Sequence, residues 1–385
     1  MKKIVVFLGV FIFLGPAAFS GIQTFSMIQK RTMHRSILLP DGNVLITGGV
    51  SSLKPIPWPL AHAELFLAHE KKFISLPSMR SSHVDHTLTS LSNGTVIIAG
   101  GNLSPEIEFY DTQEGNFKSL RSLQSPRAGH TAHVVNDREL FLIGGYKVKI
   151  GPLEKHLELI PMPQIQPLGF YDIISLNHCE VYDLLSQISS LIPLPTWLPK
   201  ISFHRSLQLP SGNILIFGGM SAWNKVVELD VATRTFSIRG YLTTAREDVA
   251  LLPLDDHRIL ISGGTNDHQQ SLTSLEIFDL HTNTSQLLGA ELHTPREDHT
   301  MVAIQEGYVL VAGGEITGKT NDQDIILNSA EFINIEKPEV IDLKDFFSPA
   351  RSDHEATVLK DHSILFTGGE APNNTILDTA NLVRF

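Results

Sequence analysis

Two residue types recur along this chain at fixed spacing and could do chemistry. His34, His86, His130, His204, His299 and His354 each lie fourteen residues before a glycine pair, and Val249 holds that place once. Arg31, Arg127, Arg246, Arg296 and Arg351 each lie three residues before this position, with His83 and Ile201 filling the other two. Converging imidazoles would make a metal centre, and converging guanidiniums would clamp a carboxylate. The spacing argues against the first. One His per repeat is dispersed around whatever the repeats build, and no ligand pair has zinc spacing, so structural hydrogen bonding is expected of the histidines and no metal is expected. The arginines carry two readings. They could ring a mouth and bind an anion, or they could pair with carboxylates such as Glu247-Asp248, Glu297-Asp298 and Asp353 that follow them closely.

The elements that must position these residues are set out by glycine. Gly48-Gly49, Gly100-Gly101, Gly144-Gly145, Gly218-Gly219, Gly263-Gly264, Gly313-Gly314 and Gly368-Gly369 are spaced 52, 44, 74, 45, 50 and 55 residues apart. A period near 50 announces a repeat architecture. Between His and glycine runs a hairpin pattern, as in Leu-Leu-Pro-Asp-Gly-Asn-Val-Leu-Ile at 38–46: apolar residues, a turn signal, apolar residues. A third strand follows a variable stretch, as at Ala63-Glu-Leu-Phe66 and Cys179-Glu-Val-Tyr-Asp183, and a fourth often holds an aromatic such as Phe73, Phe117 or Phe236. Four short strands cannot bury both their faces alone, so the units must stack.

The paired glycines, the Glu-aromatic-Asp third strand and the fourth-strand aromatic resemble the Kelch repeat over residues 21–385. The resemblance implies an all-β fold: a seven-bladed β-propeller of four-stranded antiparallel blades in a single domain. The last repeat stops after its third strand at Asn381-Leu-Val-Arg-Phe385, while Thr24-Phe25-Ser26-Met27 reads like a fourth strand. The N-terminal strand is therefore expected to complete the last blade and close the ring. Some Kelch propellers are copper radical oxidases similar to galactose oxidase, and others are exported sialic acid mutarotases. The first chemistry needs two Tyr and two His ligands and a Tyr-Cys crosslink. Here the one cysteine, Cys179, lies in a third-strand motif, so no copper, no other cofactor and no catalytic residue is expected.

Residues 1–20 read differently from the rest. Lys2 and Lys3 precede an apolar run from Ile4 to Leu14, and Ala18 and Ser20 stand at the small-residue positions of a cleavage site. This predicts a secretory signal peptide and an exported protein, periplasmic or secreted. With 42% hydrophobic residues the chain has ample material for a core, and with a single cysteine that core must hold without an internal disulfide. A net charge of −11 without a basic stripe excludes nucleic acid as an expected partner, and no other run is long enough to span a membrane.

Length variation falls on one face of such a ring, where binding loops are expected. The largest insertion, at about 147–177, carries Leu157, Ile160, Met162, Phe170 and Tyr171 among four prolines; a smaller one, from Val50 to His62, carries Trp58. An apolar loop needs a surface to cover, either its own propeller face or another protein. The expected function is a non-catalytic scaffold that binds a protein partner through this face, with the insertion, Trp58 and the five arginines as its binding residues. The alternative is a protein that binds or acts on an anionic sugar through the arginines, in the manner of a sialic acid mutarotase.

Overall fold

The computed structural model describes residues 21–385, apart from 54–56, 102–104, 151–170, 221–223, 305–306 and 319–322. The expected signal peptide and Leu157, Ile160, Met162 and Phe170 of the insertion lie outside the described residues. Seven four-stranded antiparallel sheets form in chain order. Blade one is Arg35–Leu38, Val44–Thr47, Ala63–Leu67 and Lys72–Ser75. Blade three is Thr131–Val135, Glu139–Ile143, His178–Asp183 and Ile188–Pro193.

The second strands are continuous apolar runs, such as Ile214–Phe217 and Val96–Ala99, and every residue in these two is buried. A run without alternation fits a strand covered on both faces, and the packing shows why. Each apolar cluster joins two neighbouring blades. Phe141 and Val181 of blade three, for example, meet Ile216 and Val227 of blade four. No blade owns a core of its own.

The ring closes as expected. Gly21–Ser26 pairs with Thr379–Arg384 in a register running from Gly21↔Arg384 to Ser26↔Thr379, so the first and last described strands share blade seven. The paired glycines are explained by crowding between blades. Gly48 and Gly49 have φ of 62° and 87°, and a Cβ on them would stand 2.2 Å from the His83 carbonyl oxygen and 2.4 Å from that of Thr32. Only glycine tolerates both the angle and the approach.

The five arginines stand beside these glycines, inside the blades. Arg31 donates through Nη1 to the Gly48 carbonyl (2.7 Å) and through Nη2 to Glu64 Oε1 (2.7 Å). Its own carbonyl accepts from Gly369 N–H of blade seven (2.9 Å). One residue thus ties the glycine turns of two blades. Arg127 with Gly144 and Glu180, Arg246 with Gly263 and Glu276, and Arg296 with Gly313 and Glu331 repeat the arrangement. In blade two His83 substitutes, bonding the Gly100 carbonyl and Glu108.

This corrects the expectation of an arginine-lined mouth. All five guanidiniums are fully buried, and four are paired with third-strand glutamates of their own blade rather than with the carboxylates that follow them in sequence. A charge taken out of water needs a partner at hydrogen-bonding distance, and a guanidinium already committed in this way has no fork to offer an anionic sugar. Arg296→Ile alone should strand Glu331 and cost about 3–5 kcal/mol, whereas Arg296→Ile with Glu331→Leu should lose far less. Denaturant midpoints of the two variants check this.

Candidate functional site: the channel mouth

The residue just before each repeated histidine, and before Val249 in blade five, has a left-handed backbone angle. These residues are Met33, Asp85, Gly129, Phe203, Asp248, Asp298 and Asp353, all with φ between 48° and 56°. Their backbones hydrogen-bond from blade to blade around the axis: Asp85 N–H to Met33 O (3.1 Å), Gly129 N–H to Asp85 O (3.0 Å) and Asp248 N–H to Phe203 O (3.2 Å). A second ring stands on the first. Links and post-glycine residues pair at Thr32↔Val50, Ala128↔Tyr146, Glu247↔Thr265, Glu297↔Glu315 and Ser352↔Glu370. These two rings form the mouth of the central channel on the loop-bearing face.

The mouth is divided by chemistry. On the side of blades one to four it carries the apolar or aromatic Met33, Val50, Tyr146 and Phe203 together with the paired Asp85 and Arg35. Tyr146 stacks on Phe203 at 5.1 Å between ring centroids and donates its hydroxyl to Asp85 (3.0 Å), so it spans blades two to four. On the side of blades five to seven it is acidic, with Glu247, Asp248, Glu297, Asp298, Glu315, Asp353 and Glu370. Glu297 accepts from the hydroxyls of Thr265 and Thr317, and Ser271 and Thr317 join at 2.8 Å. Burial, reinforced by neighbouring carboxylates, raises Asp248, Asp298 and Asp353 well above the usual carboxylate range. The same causes push Glu315 up to about 7. Among the described residues, Arg205 of blade four and Arg35 of blade one are cations near this arc; Arg35 pairs with Asp85 (3.1 Å) and Glu355 (3.5 Å).

The repeated histidines lie under this mouth and are structural. His34 Nε2 meets the Thr367 hydroxyl (2.9 Å), His86 meets Thr47 (2.7 Å), His204 meets Thr131 (3.0 Å) and His299 meets Ser262 (2.7 Å), each across a blade boundary. Burial holds all six well below the usual imidazole range, His204 down to about 3. Among the described residues no three His, Cys, Asp or Glu are gathered to hold a metal.

Of the expected binding residues outside the arginines, Trp58 is 68% exposed on a loop of blade one held by Ser51 N–H to Trp58 O (3.1 Å) and Trp58 N–H to Ser52 O (3.0 Å). Tyr171 begins the strand Tyr171–Ser175, which pairs with Tyr146–Ile150 and carries exposed Ile173 and Ile174. Sequence reasoning missed the acidic arc as a unit. Its signal was present in the Asp and Gly that precede the histidines, since these residue types accept positive φ.

No family model matches the chain. An F-box/kelch-repeat protein of Arabidopsis thaliana is 26% identical over 216 residues, which is 49% of this chain and 43% of that protein. The chain thus spans less than half the length of that relative. A solved fungal alcohol oxidase of the AA5 family, in complex with copper, superposes with a TM-score of 0.73 over 96% of this chain and 76% of that one, at 15% identity, a likeness that shows the fold alone. Repeat and architecture together make this chain a Kelch-repeat β-propeller, a fold compatible with a protein-interaction scaffold. The described residues do not fit copper. Cys179 is fully buried in the core between blades three and four, its thiol pushed up to about 11 by burial.

Six histidines held neutral make a testable signature. Their unfolded forms take up protons below about pH 6.5 while the folded forms do not, so stability falls as pH drops through that value. His130→Val, the residue that blade five already uses at Val249, should reduce this slope by up to about 1.4 kcal/mol per pH unit. Urea midpoints between pH 7 and 5 measure it.

Proposed function

We propose that the protein is an exported, non-catalytic scaffold whose loop-bearing face binds a partner protein through a basic segment seated in the channel mouth. The observation that carries this reading is the division of the mouth. One arc gathers carboxylates of three consecutive blades, and the opposite arc offers Tyr146, Phe203 and Met33. Such a pairing suits a guanidinium or ammonium with an apolar stem. Because the carboxylates are spread along an arc rather than converging, an extended organic cation matches them better than a metal ion. Around the mouth, loops of blades one, three and six put Trp58, Ile173, Ile174 and Ile325 into solvent. Exposed apolar side chains around a charged centre fit protein docking. The net charge of −11 steers the same class of partner. Export rests on the Lys2-Lys3 start and the apolar run after it, and the name of the plant relative adds only that Kelch repeats occur beside an F-box.

An arginine-rich peptide is the probe for the mouth. Binding to residues 21–385, read by fluorescence anisotropy, should weaken with salt. It should weaken at least tenfold in the variant Asp248→Asn, Asp298→Asn, Asp353→Asn, in which Asn keeps the positive φ. Equal binding by the two proteins removes the mouth from the proposal. Trp58→Ala should reduce capture of the native partner without changing peptide binding. Recovery of the tagged full chain only in the cytoplasm at unprocessed length overturns export.

A further inference from the structure

Four of the buried arginines carry a nitrogen that their other bonds leave unused. Nη1 and Nη2 bond the glycine turn and the third strand, but Nε of Arg31, Arg127, Arg296 and Arg351 has no hydrogen-bond partner in the protein. Nδ1 of the histidine three residues further on has none either, in His34, His130, His299 and His354. All eight side chains are more than nine-tenths buried. A guanidinium N–H is a donor only, and a neutral imidazole keeps one nitrogen as an acceptor. Such groups are seldom enclosed without a partner.

The two nitrogens belong to one place. A Cβ built on Gly100 would stand 3.1 Å from Arg127 Cγ and 2.7 Å from His130 Cε1. On Gly368 it would stand 3.3 Å from Arg31 Cγ and 2.9 Å from His34 Cε1. Arginine stem and imidazole edge thus flank one glycine of the blade before, without bonding each other. Where the histidine is missing, the unused Nε is missing too. Blade five has Val249 in its place, and there Arg246 Nε–H donates to the Thr244 carbonyl (3.4 Å).

The other imidazole nitrogen explains that exception. Each Nε2 takes its hydroxyl from one cross-strand pair of the blade before. His34 uses Thr367 of Glu355↔Thr367, and His130 uses Thr87 of Thr87↔Ala99. His299 uses Ser262 of Ala250↔Ser262, and His354 uses Thr300 of Thr300↔Ala312. The matching pair of blade four is Arg205↔Phe217, which has no hydroxyl, and Val249 shares an apolar cluster with Phe217.

We propose that each of these four Arg–His pairs encloses one water molecule, which accepts from the guanidinium Nε–H and donates to the imidazole Nδ1. Buried waters take about two to four polar partners, and each pair supplies two. A cation is repelled by the guanidinium, and an anion would require a proton on Nδ1. The bridging water fixes the tautomer: Nε2 carries the proton and donates it to the hydroxyl. The arginine clamp then gains a second route into the blade before, from Arg31 through water and His34 to Thr367.

A high-resolution crystal structure, repeated after a bromide soak, tests this. One water should bridge Nε and Nδ1 in blades one, three, six and seven, with none between Arg246 and Val249. Long-range proton–nitrogen correlation spectra of the protein labelled at histidine should show all four as Nε2–H tautomers. His299→Val should lose its water and turn Arg296 Nε–H to the Thr294 carbonyl, as in blade five. Should that variant fail to fold, Arg246 and Val249 of the wild type supply the comparison. A direct Nε–Nδ1 contact, a bromide peak at a pair, an Nδ1–H tautomer, or a water on Arg246 Nε overturns the proposal.

Discussion

The structure depends on one interaction above all, the arginine that ties a glycine turn to a third-strand glutamate. A propeller has no single core, and each blade is held only by its two neighbours. Apolar packing between twisted sheets leaves their inner ends free to slide. The arginine fixes them. Its side chain bonds the glycine turn of its own blade, and its carbonyl bonds the glycine turn of the blade before. The glutamate completes the geometry by accepting backbone N–H groups of the approaching link, as Glu331 does from His293 and Thr294. Desolvating such a pair is expensive, so its gain lies in register more than in net stability.

The exceptions show which part of the interaction is indispensable. In blade four Ile201 replaces the arginine and joins the apolar cluster, while its carbonyl still accepts from Gly145 (2.7 Å). The glutamate left behind, Glu228, turns to Arg239 (3.0 Å) and Asn213 (2.8 Å). In blade seven the glutamate is replaced by Asn381, and Arg351 lies 4.7 Å from the Phe347 ring, its proton affinity lowered by burial to about 10. The amide of Asn381 also reaches Thr24 of the closing strand (3.0 Å). The carbonyl-to-glycine bond survives in each case; the ion pair is exchanged for whatever its neighbours can satisfy.

Most of the fold was legible in sequence because every blade states it again. Seven glycine pairs, hairpin signals and third-strand motifs agree, and the missing fourth strand at Phe385 finds its match at Thr24. The site was less legible for the same reason that the repeat was clear. Arg31 and Glu64 are 33 residues apart, and nothing local says that they touch. The co-occurrence was readable within the chain, since Glu64, Glu180, Glu276 and Glu331 each accompany an arginine in the same repeat. The acidic arc was harder. Its members come from three repeats and are brought together only by the ring, and Glu247, Asp248, Glu297 and Asp298 read in sequence as counter-ions of the adjacent arginines.

Placing the structural charges inside the blades frees the mouth to carry charges that do not help stability. Carboxylates crowded on one arc repel one another, and a protein held by that arc would come apart as they ionise. Here the ring is secured beneath the mouth by buried clamps, inter-blade histidines and seven apolar contacts, none of which includes the arc. The cost of the repulsion is therefore local, and falls on the inner links of blades five to seven. Residues at these positions can change from apolar to acidic from blade to blade, as Met33, Phe203 and Asp353 already do, without disturbing the glycine turns beneath them. The division between apolar and acidic arcs is thus a property of the mouth alone, and a binding partner that neutralises the arc meets no opposing demand from the fold.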